Sequence, residues 1–225
     1  MTMRFALTLL LALCPLLHAQ EPDKDKDKLK VRFLAERAPA EIGEVMMSAG
    51  EDKVSPSFTL PTNNVSEPMV APGREFKVVT AAKKLALAAV ALPDAGKSFI
   101  VLLVPAPAGG YKPVVMRTDD PGFKAGDTYF YNHADKTVLG FVGTAKFTLE
   151  PGKGQSLHPE GAKPEKFYEV GFGVREKEGD KPLSSTRWPV QPDIRSYVFF
   201  FTNSQTKRVD FRAVDEYVEP EKKQP

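Results

Sequence analysis

The sequence predicts an all-β protein, an antiparallel β-sandwich of the jelly-roll or immunoglobulin-like kind with at most one short helix. Apolar and polar residues alternate with a period of two in several segments, which places side chains on opposite faces of a strand. Turn residues recur about every ten residues, the spacing typical of sandwiches. Two segments, 99–104 and 197–201, are apolar throughout, as expected for strands covered on both faces.

Residues 1–19 are a predicted secretory signal peptide, because Arg4 precedes an apolar run over 5–17 and Ala19 is a small residue suited to cleavage. The run is shorter than the roughly 20 residues of a transmembrane helix. We therefore expect an exported protein, periplasmic or extracellular, with no transmembrane span in the mature chain. The alternative is a lipid anchor on Cys14, which is disfavoured because this cysteine lies inside the apolar run.

The rest of the chain divides by composition. Residues 20–28 form a predicted charged, disordered linker, and 219–225 a predicted flexible tail, because neither carries enough apolar surface to offset the entropy of ordering. We expect 29–218 to form a single β-sandwich domain. The alternative is two small sandwiches split near 105–110, a stretch of Pro, Ala and Gly that resembles a linker.

The strands are predicted from alternation and from the turns that bound them. The clearest alternation is in 145–150, 168–174 and 208–213. Residues 206–213 are predicted to form a hairpin with 197–202. The other candidate strands, in chain order, are 29–35, 45–48, 57–60, 69–70, 75–80, 99–104, 113–117, 127–132 and 138–142.

Segment 81–92 is ambiguous between helix and strand. Its alanine content favours a helix by intrinsic propensity. Its surroundings are all-β, and tertiary pairing commonly overrides propensity, so we favour a strand slightly and leave the helix open.

Composition and motifs exclude several classes of function. The 31 basic and 29 acidic residues give a net charge of +2, too small for a nucleic-acid binder. Cleavage of the predicted signal peptide would remove Cys14, the only cysteine, and would therefore exclude thiol nucleophiles and Cys-ligated metals. Residues 91–98 match a relaxed phosphate-loop string, but Pro93 removes an amide and a strand follows, so we interpret them as a turn.

The mature chain retains two histidines, His133 and His158, each in a polar loop segment. A serine hydrolase would need one of them as its base, and neither has a partner at a mechanistic spacing. Whether the protein is an enzyme stays open, and a non-enzyme is favoured.

Three aromatic residues are the candidate ligand-binding residues. Trp188 is the only tryptophan, and Tyr129 and Tyr131 share one face of a predicted strand. Exposed aromatic rings on a rigid sheet are the platforms on which sugars stack. The competing interpretation is packing against the core.

Three carboxylates are the candidate metal ligands. Asp119, Asp120 and Asp127 lie in one Pro- and Gly-containing loop segment, and calcium takes carboxylate and carbonyl oxygens from tight loops. The same composition is also that of an ordinary turn. Calcium is the only cofactor that the sequence suggests.

These observations predict an exported, non-enzymatic β-sandwich that acts as a binding or structural module of the cell envelope or extracellular space. Its partner would be an envelope polysaccharide or another exported protein, and no nucleic acid is expected. The alternatives are an exported carbohydrate-binding protein and a hydrolase that depends on carboxylates or calcium.

Overall fold

A computed structural model of the chain describes residues 28–203 and 205–219. The predicted signal peptide with Cys14, the predicted linker up to residue 27 and the predicted tail beyond Glu219 lie outside the described residues. Across the part that is described, no helix has the length and apolar character needed to cross a membrane.

The described chain is all-β, with sixteen strands, one 3₁₀ turn and no α-helix within the described ranges. The first eight strands are β1 Lys30–Ala35, β2 Glu44–Ser48, β3 Phe58–Thr59, β4 Met69–Val70, β5 Glu75–Thr80, β6 Ala86–Ala91, β7 Ser98–Pro105 and β8 Tyr111–Arg117. The other eight are β9 Thr128–Asn132, β10 Val138–Val142, β11 Ala145–Leu149, β12 Gly154–Leu157, β13 Phe167–Glu176, β14 Gly179–Pro189, β15 Ile194–Thr202 and β16 Val209–Tyr217. The 3₁₀ turn, Ala40–Ile42, lies between β1 and β2.

The strands form four sheets of four strands each. Sheet A has the order β4-β1-β7-β8 and sheet B the order β3-β2-β5-β6. Sheet C has the order β12-β9-β15-β16 and sheet D the order β11-β10-β13-β14. Neighbouring strands run antiparallel except for two parallel pairs, β1 with β7 in sheet A and β9 with β15 in sheet C.

The two halves of the chain have the same topology. Adding eight to every strand number of sheets A and B gives the strand orders of sheets C and D, and the parallel pair recurs in the same place. We call β1–β8 the first half and β9–β16 the second half; residues 118–127 connect them. The sequence shows no internal repeat of fixed period, so the repeated topology is a finding of the structure alone.

Each half has its own hydrophobic cluster. One cluster draws buried residues from sheets A and B, among them Phe33 and Val78. A second draws them from sheets C and D, among them Phe172 and Phe200. Each cluster therefore contains buried side chains from both sheets of its half.

A third cluster joins the halves. It contains Leu34 and Met116 of sheet A together with Tyr197 and Val214 of sheet C. Strand β7 supplies two clusters at once: alternate residues enter the core of the first half (Phe99, Val101, Leu103) or the junction (Ile100, Leu102, Val104). Strand β15 does the same, which confirms the prediction that these two apolar strands are covered on both faces.

Most predicted strands are confirmed to within a few residues, and the ambiguous segment contains a strand. Residues Ala86–Ala91 form β6, which pairs with β5. Lys84, with a φ of 55°, lies in the turn before it. Pairing and burial of Ala88 and Val90 therefore override the helix propensity of the alanines.

Two strands have no counterpart in the sequence prediction, namely β12 and β14. Both are edge strands, and most of their side chains are exposed. Their place is set by backbone pairing with β9 and β13. An exposed edge needs no apolar alternation, so the sequence lacks the periodic signal there.

Residues 105–110 connect two paired strands of sheet A. Pro105 pairs with Tyr111, and the amides of Ala106 and Gly109 make turn hydrogen bonds, so this stretch is the tip of the β7-β8 hairpin. The strand order begins to repeat after β8, which ends at Arg117.

Candidate functional site

A pocket of about 150 Å³ lies between sheets C and D at one end of the second half. Sheet D contributes aromatic and apolar side chains, and sheet C contributes short polar side chains together with Ile194 and Ala213. Those used below are Tyr168, Trp188, Thr128, Ser196 and Asp215. The pocket contains one of the predicted ligand-binding residues, Trp188.

The aromatic wall is built by the β13-β14 pair. Tyr168 and Trp188 are direct cross-strand neighbours, so their side chains lie on the same face of sheet D. The Trp188 ring meets Phe172 edge-on, with ring centroids 5.7 Å apart. This contact fixes the indole at the rim of the core while leaving it half-buried.

The polar wall is set by strand register in sheet C. Ser196 on β15 is paired with Thr128 on β9 and with Asp215 on β16. The three residues therefore form a row across the sheet on the face turned towards sheet D. The Ser196 hydroxyl donates to Oδ1 of Asp215 at 2.7 Å, which holds that carboxylate in place.

The aromatic wall offers unused hydrogen-bonding groups. Within the described residues, neither the indole N–H of Trp188 nor the hydroxyl of Tyr168 has a hydrogen-bond partner. Tyrosine hydroxyls and tryptophan N–H groups usually find a partner when buried. Both groups are half-buried at the pocket, so a ligand with hydroxyl groups is a suitable partner.

The other two predicted binding residues lie elsewhere. Tyr129 and Tyr131 are on the opposite face of β9 from Thr128, in the junction between the halves. Tyr131 is buried, and burial together with the neighbouring Tyr131 raises the pKa of Tyr129 to about 12. The structure therefore does not bring Trp188 and these two tyrosines into one aromatic strip.

Two of the predicted metal ligands accept hydrogen bonds from other groups of the protein. Asp119 accepts hydrogen bonds from the Lys97 amide at 2.8 Å and from Nε of Arg117 at 3.0 Å. Asp120 accepts from the Gly122 amide at 2.8 Å. These are the bonds of an ordinary Asx turn and a surface ion pair.

The third, Asp127, is buried and has different partners. Its carboxylate accepts from the Lys124 amide at 2.6 Å and contacts Nδ1 of His158 at 2.5 Å. Within the described part of the chain, no three residues among His, Cys, Asp and Glu come together as a metal-binding group. The structure does not gather Asp119, Asp120 and Asp127 into one site.

His133 and His158 each have an acidic partner that is far away in the sequence. His158 contacts Asp127, 31 residues away, and His133 contacts Glu36, 97 residues away, at 2.7 Å. Such pairs depend on which strands become neighbours, so no local signal marks them. The same holds for the row of Thr128, Ser196 and Asp215, which only strand register assembles.

No protein-family model matches this chain, and a search of curated proteins found no match. Function is therefore inferred from the geometry of the chain's own residues.

Proposed function

We propose that this protein is an exported, non-enzymatic binding module that holds a neutral sugar unit of an envelope polysaccharide in the Trp188 pocket. Its four sheets would form two β-sandwiches, A on B and C on D, each of the jelly-roll or immunoglobulin-like kind. The separate hydrophobic clusters of the two halves support this arrangement. The junction cluster would hold the two sandwiches together.

The observation that carries the proposal is the row Thr128, Ser196 and Asp215 facing Trp188 across the pocket. A sugar ring has apolar faces that stack on an aromatic ring and hydroxyl edges that bond to short polar side chains. Sites of this type combine an apolar wall with a few placed polar groups. Of the described residues that line the pocket, Asp215 alone is charged, which favours a neutral ligand rich in hydroxyl groups.

The test uses the chain from residue 20 onwards and soluble neutral hexasaccharides of glucose, xylose, mannose and N-acetylglucosamine, measured by titration calorimetry. We expect one of the four to bind. Trp188→Ala should then weaken binding at least about tenfold, since burial of apolar surface contributes roughly 25 cal/mol per Å² and about 60 Å² under the indole is enough for that factor. Asp215→Asn should also weaken binding, because the carboxylate accepts hydrogen bonds more strongly than the amide.

The matched control is Phe141→Ala, which removes an exposed aromatic ring from the same half but outside the pocket. It should leave the affinity unchanged. Failure of all four sugars to bind, or equal losses in Trp188→Ala and Phe141→Ala, contradicts the proposal. Release of shorter products during the titration would instead support the hydrolase alternative.

Export itself is tested by the mass of the protein in each cellular fraction. Cleavage after Ala19 predicts an unmodified chain that begins at Gln20 in the soluble exported fraction. A chain that begins at Cys14 and carries an added lipid mass in the membrane fraction would support the lipid-anchored alternative.

A further inference from the structure

A second pocket, of about 460 Å³, lies at the other end of sheet C from Trp188, where the two halves meet. The first half contributes Glu36 and Arg37, which directly follow β1. The second half contributes His133, Arg212, Phe201, Thr202, Asn203 and Gln205. We call this the junction pocket; it is complete only when the halves are packed together.

A carboxylate orients the imidazole in this pocket. Oε2 of Glu36 lies 2.7 Å from Nδ1 of His133, and the Glu36 side chain is only 7% exposed. A carboxylate accepts hydrogen bonds, so the proton is assigned to Nδ1 on the basis of this contact. In the neutral ring, Nε2 is then left as a hydrogen-bond acceptor.

Two guanidinium groups supply free donors. Arg212 donates to the carbonyl of Ala35 at 3.1 Å and lies over the Phe199 ring at 5.8 Å, which fixes its position. That is its one hydrogen bond within the described residues, and a guanidinium has five N–H donors. The Arg37 guanidinium is exposed and has no hydrogen bond or ion pair in the described part of the chain.

The backbone of Arg37 is nevertheless held in place. Its carbonyl accepts a hydrogen bond from the Tyr111 hydroxyl at 3.0 Å. Both arginines thus start from fixed backbone positions on opposite sides of the junction. Among the described lining residues, two guanidinium groups face one carboxylate, so the pocket carries a net positive charge.

We propose that the junction pocket binds a small hydroxy acid. Its carboxylate is held by Arg37 and Arg212, whose planar groups match a carboxylate through paired hydrogen bonds. A hydroxyl group of the ligand donates to Nε2 of His133. Because residues from both halves take part, such a ligand stabilises the packed arrangement as well as occupying the pocket.

The experiment compares three six-carbon probes on the chain from residue 20 onwards by titration calorimetry at constant ionic strength. Gluconate carries the carboxylate and hydroxyls, hexanoate the carboxylate alone, and sorbitol the hydroxyls alone. We expect gluconate to bind tightest, and at least about tenfold tighter than sorbitol, because hydrogen bonds to charged groups are the stronger ones.

Variants test the assigned roles. Arg37→Gln changes an exposed side chain and should weaken gluconate at least about tenfold without affecting the fold. Arg212→Gln should do the same. His133→Phe should reduce the preference for gluconate over hexanoate. The matched control is Arg187→Gln. Arg187 is a cation on β14 that lies over the Phe167 ring of β13, outside this pocket.

Binding of sorbitol as tightly as gluconate, absence of gluconate binding, or gluconate affinity unchanged in Arg37→Gln would each overturn the proposal. The result is separable from the proposed function, because Trp188→Ala should leave gluconate binding intact. Loss of gluconate affinity in Trp188→Ala alone would assign the acid to the Trp188 pocket instead.

Discussion

The two halves of this protein share one strand order but carry different side chains. In the second half, Phe130, Phe147, Phe172 and Phe200 form a connected group of rings with centroids 4.3 to 6.2 Å apart. In the first half, Phe33 contacts two other rings, and most of the remaining cluster is aliphatic. The same topology is therefore compatible with two kinds of core, as long as each is filled with apolar volume.

The difference extends to the candidate site. Strand β14 carries Trp188, whereas β6, at the equivalent place in sheet B, is largely alanine. Likewise β9 presents Tyr131 to the junction at the register position where β1 presents Leu34. A repeated fold does not imply a repeated site, because chemistry depends on the side chains placed on it.

The largest expected effect is a test of the core difference. Phe200→Ala removes a fully buried ring that contacts other rings of the second half and should lower the free energy of unfolding by about 3–5 kcal/mol. Val101→Ala, at a fully buried position on the equivalent strand β7, should cost about 2 kcal/mol, since fewer methyl groups are lost. Urea denaturation measures both. Equal costs would show that the aromatic core contributes nothing beyond the aliphatic one.

The second prediction concerns the junction that both halves share. Arg32 of the first half forms an ion pair with the buried Glu216 of the second, and Glu216 also accepts from the Tyr197 hydroxyl at 2.5 Å. Glu216→Ala should lower the free energy of unfolding by about 3 kcal/mol, because two polar partners lose their acceptor.

The control for this junction is the double variant Arg32→Met with Glu216→Leu, which should cost less than Glu216→Ala because no charge is left unpaired. Calorimetric unfolding of the wild type should show one transition for both halves. Two separate transitions in the wild type would contradict a junction that couples them.

The smallest expected effect is a pH dependence contributed by Tyr129, on the second half's side of the junction. The pKa of Tyr129 is raised to about 12 by burial first and by Tyr131 second. Below pH 10 the phenol is protonated in both states and its contribution is fully present. As the pH rises from 10 to 12, the unfolded chain loses this proton while the folded protein keeps it, so stability falls by about 2 kcal/mol.

Urea denaturation at pH 9 to 12 measures this loss, and absorbance of tyrosinate measures the pKa directly. Tyr129→Phe should flatten part of the alkaline decline. An unchanged decline in that variant would assign the effect to other groups, such as Tyr197, whose pKa is also raised by burial.

Alternation predicted the core strands well because burial on one face leaves a periodic trace, as in Val170, Phe172 and Val174 of β13. The same rule failed for β12 and β14, which are held by backbone hydrogen bonds at sheet edges. Of the predicted site residues, Trp188 lies in a pocket, and its polar neighbours were not predicted. Ser196 and Asp215 are common surface residue types until register pairs them.

The sequence by itself determined the all-β class and the identity of the two strands buried on both faces. These are local properties, fixed by composition and by the period of the apolar residues along each strand. Only the tertiary structure decided that the strand order repeats, that Glu36 meets His133 across 97 residues, and that Thr128, Ser196 and Asp215 form a row. Such contacts depend on which strands pair and in what register. The residues next to a side chain in the sequence determine neither of these.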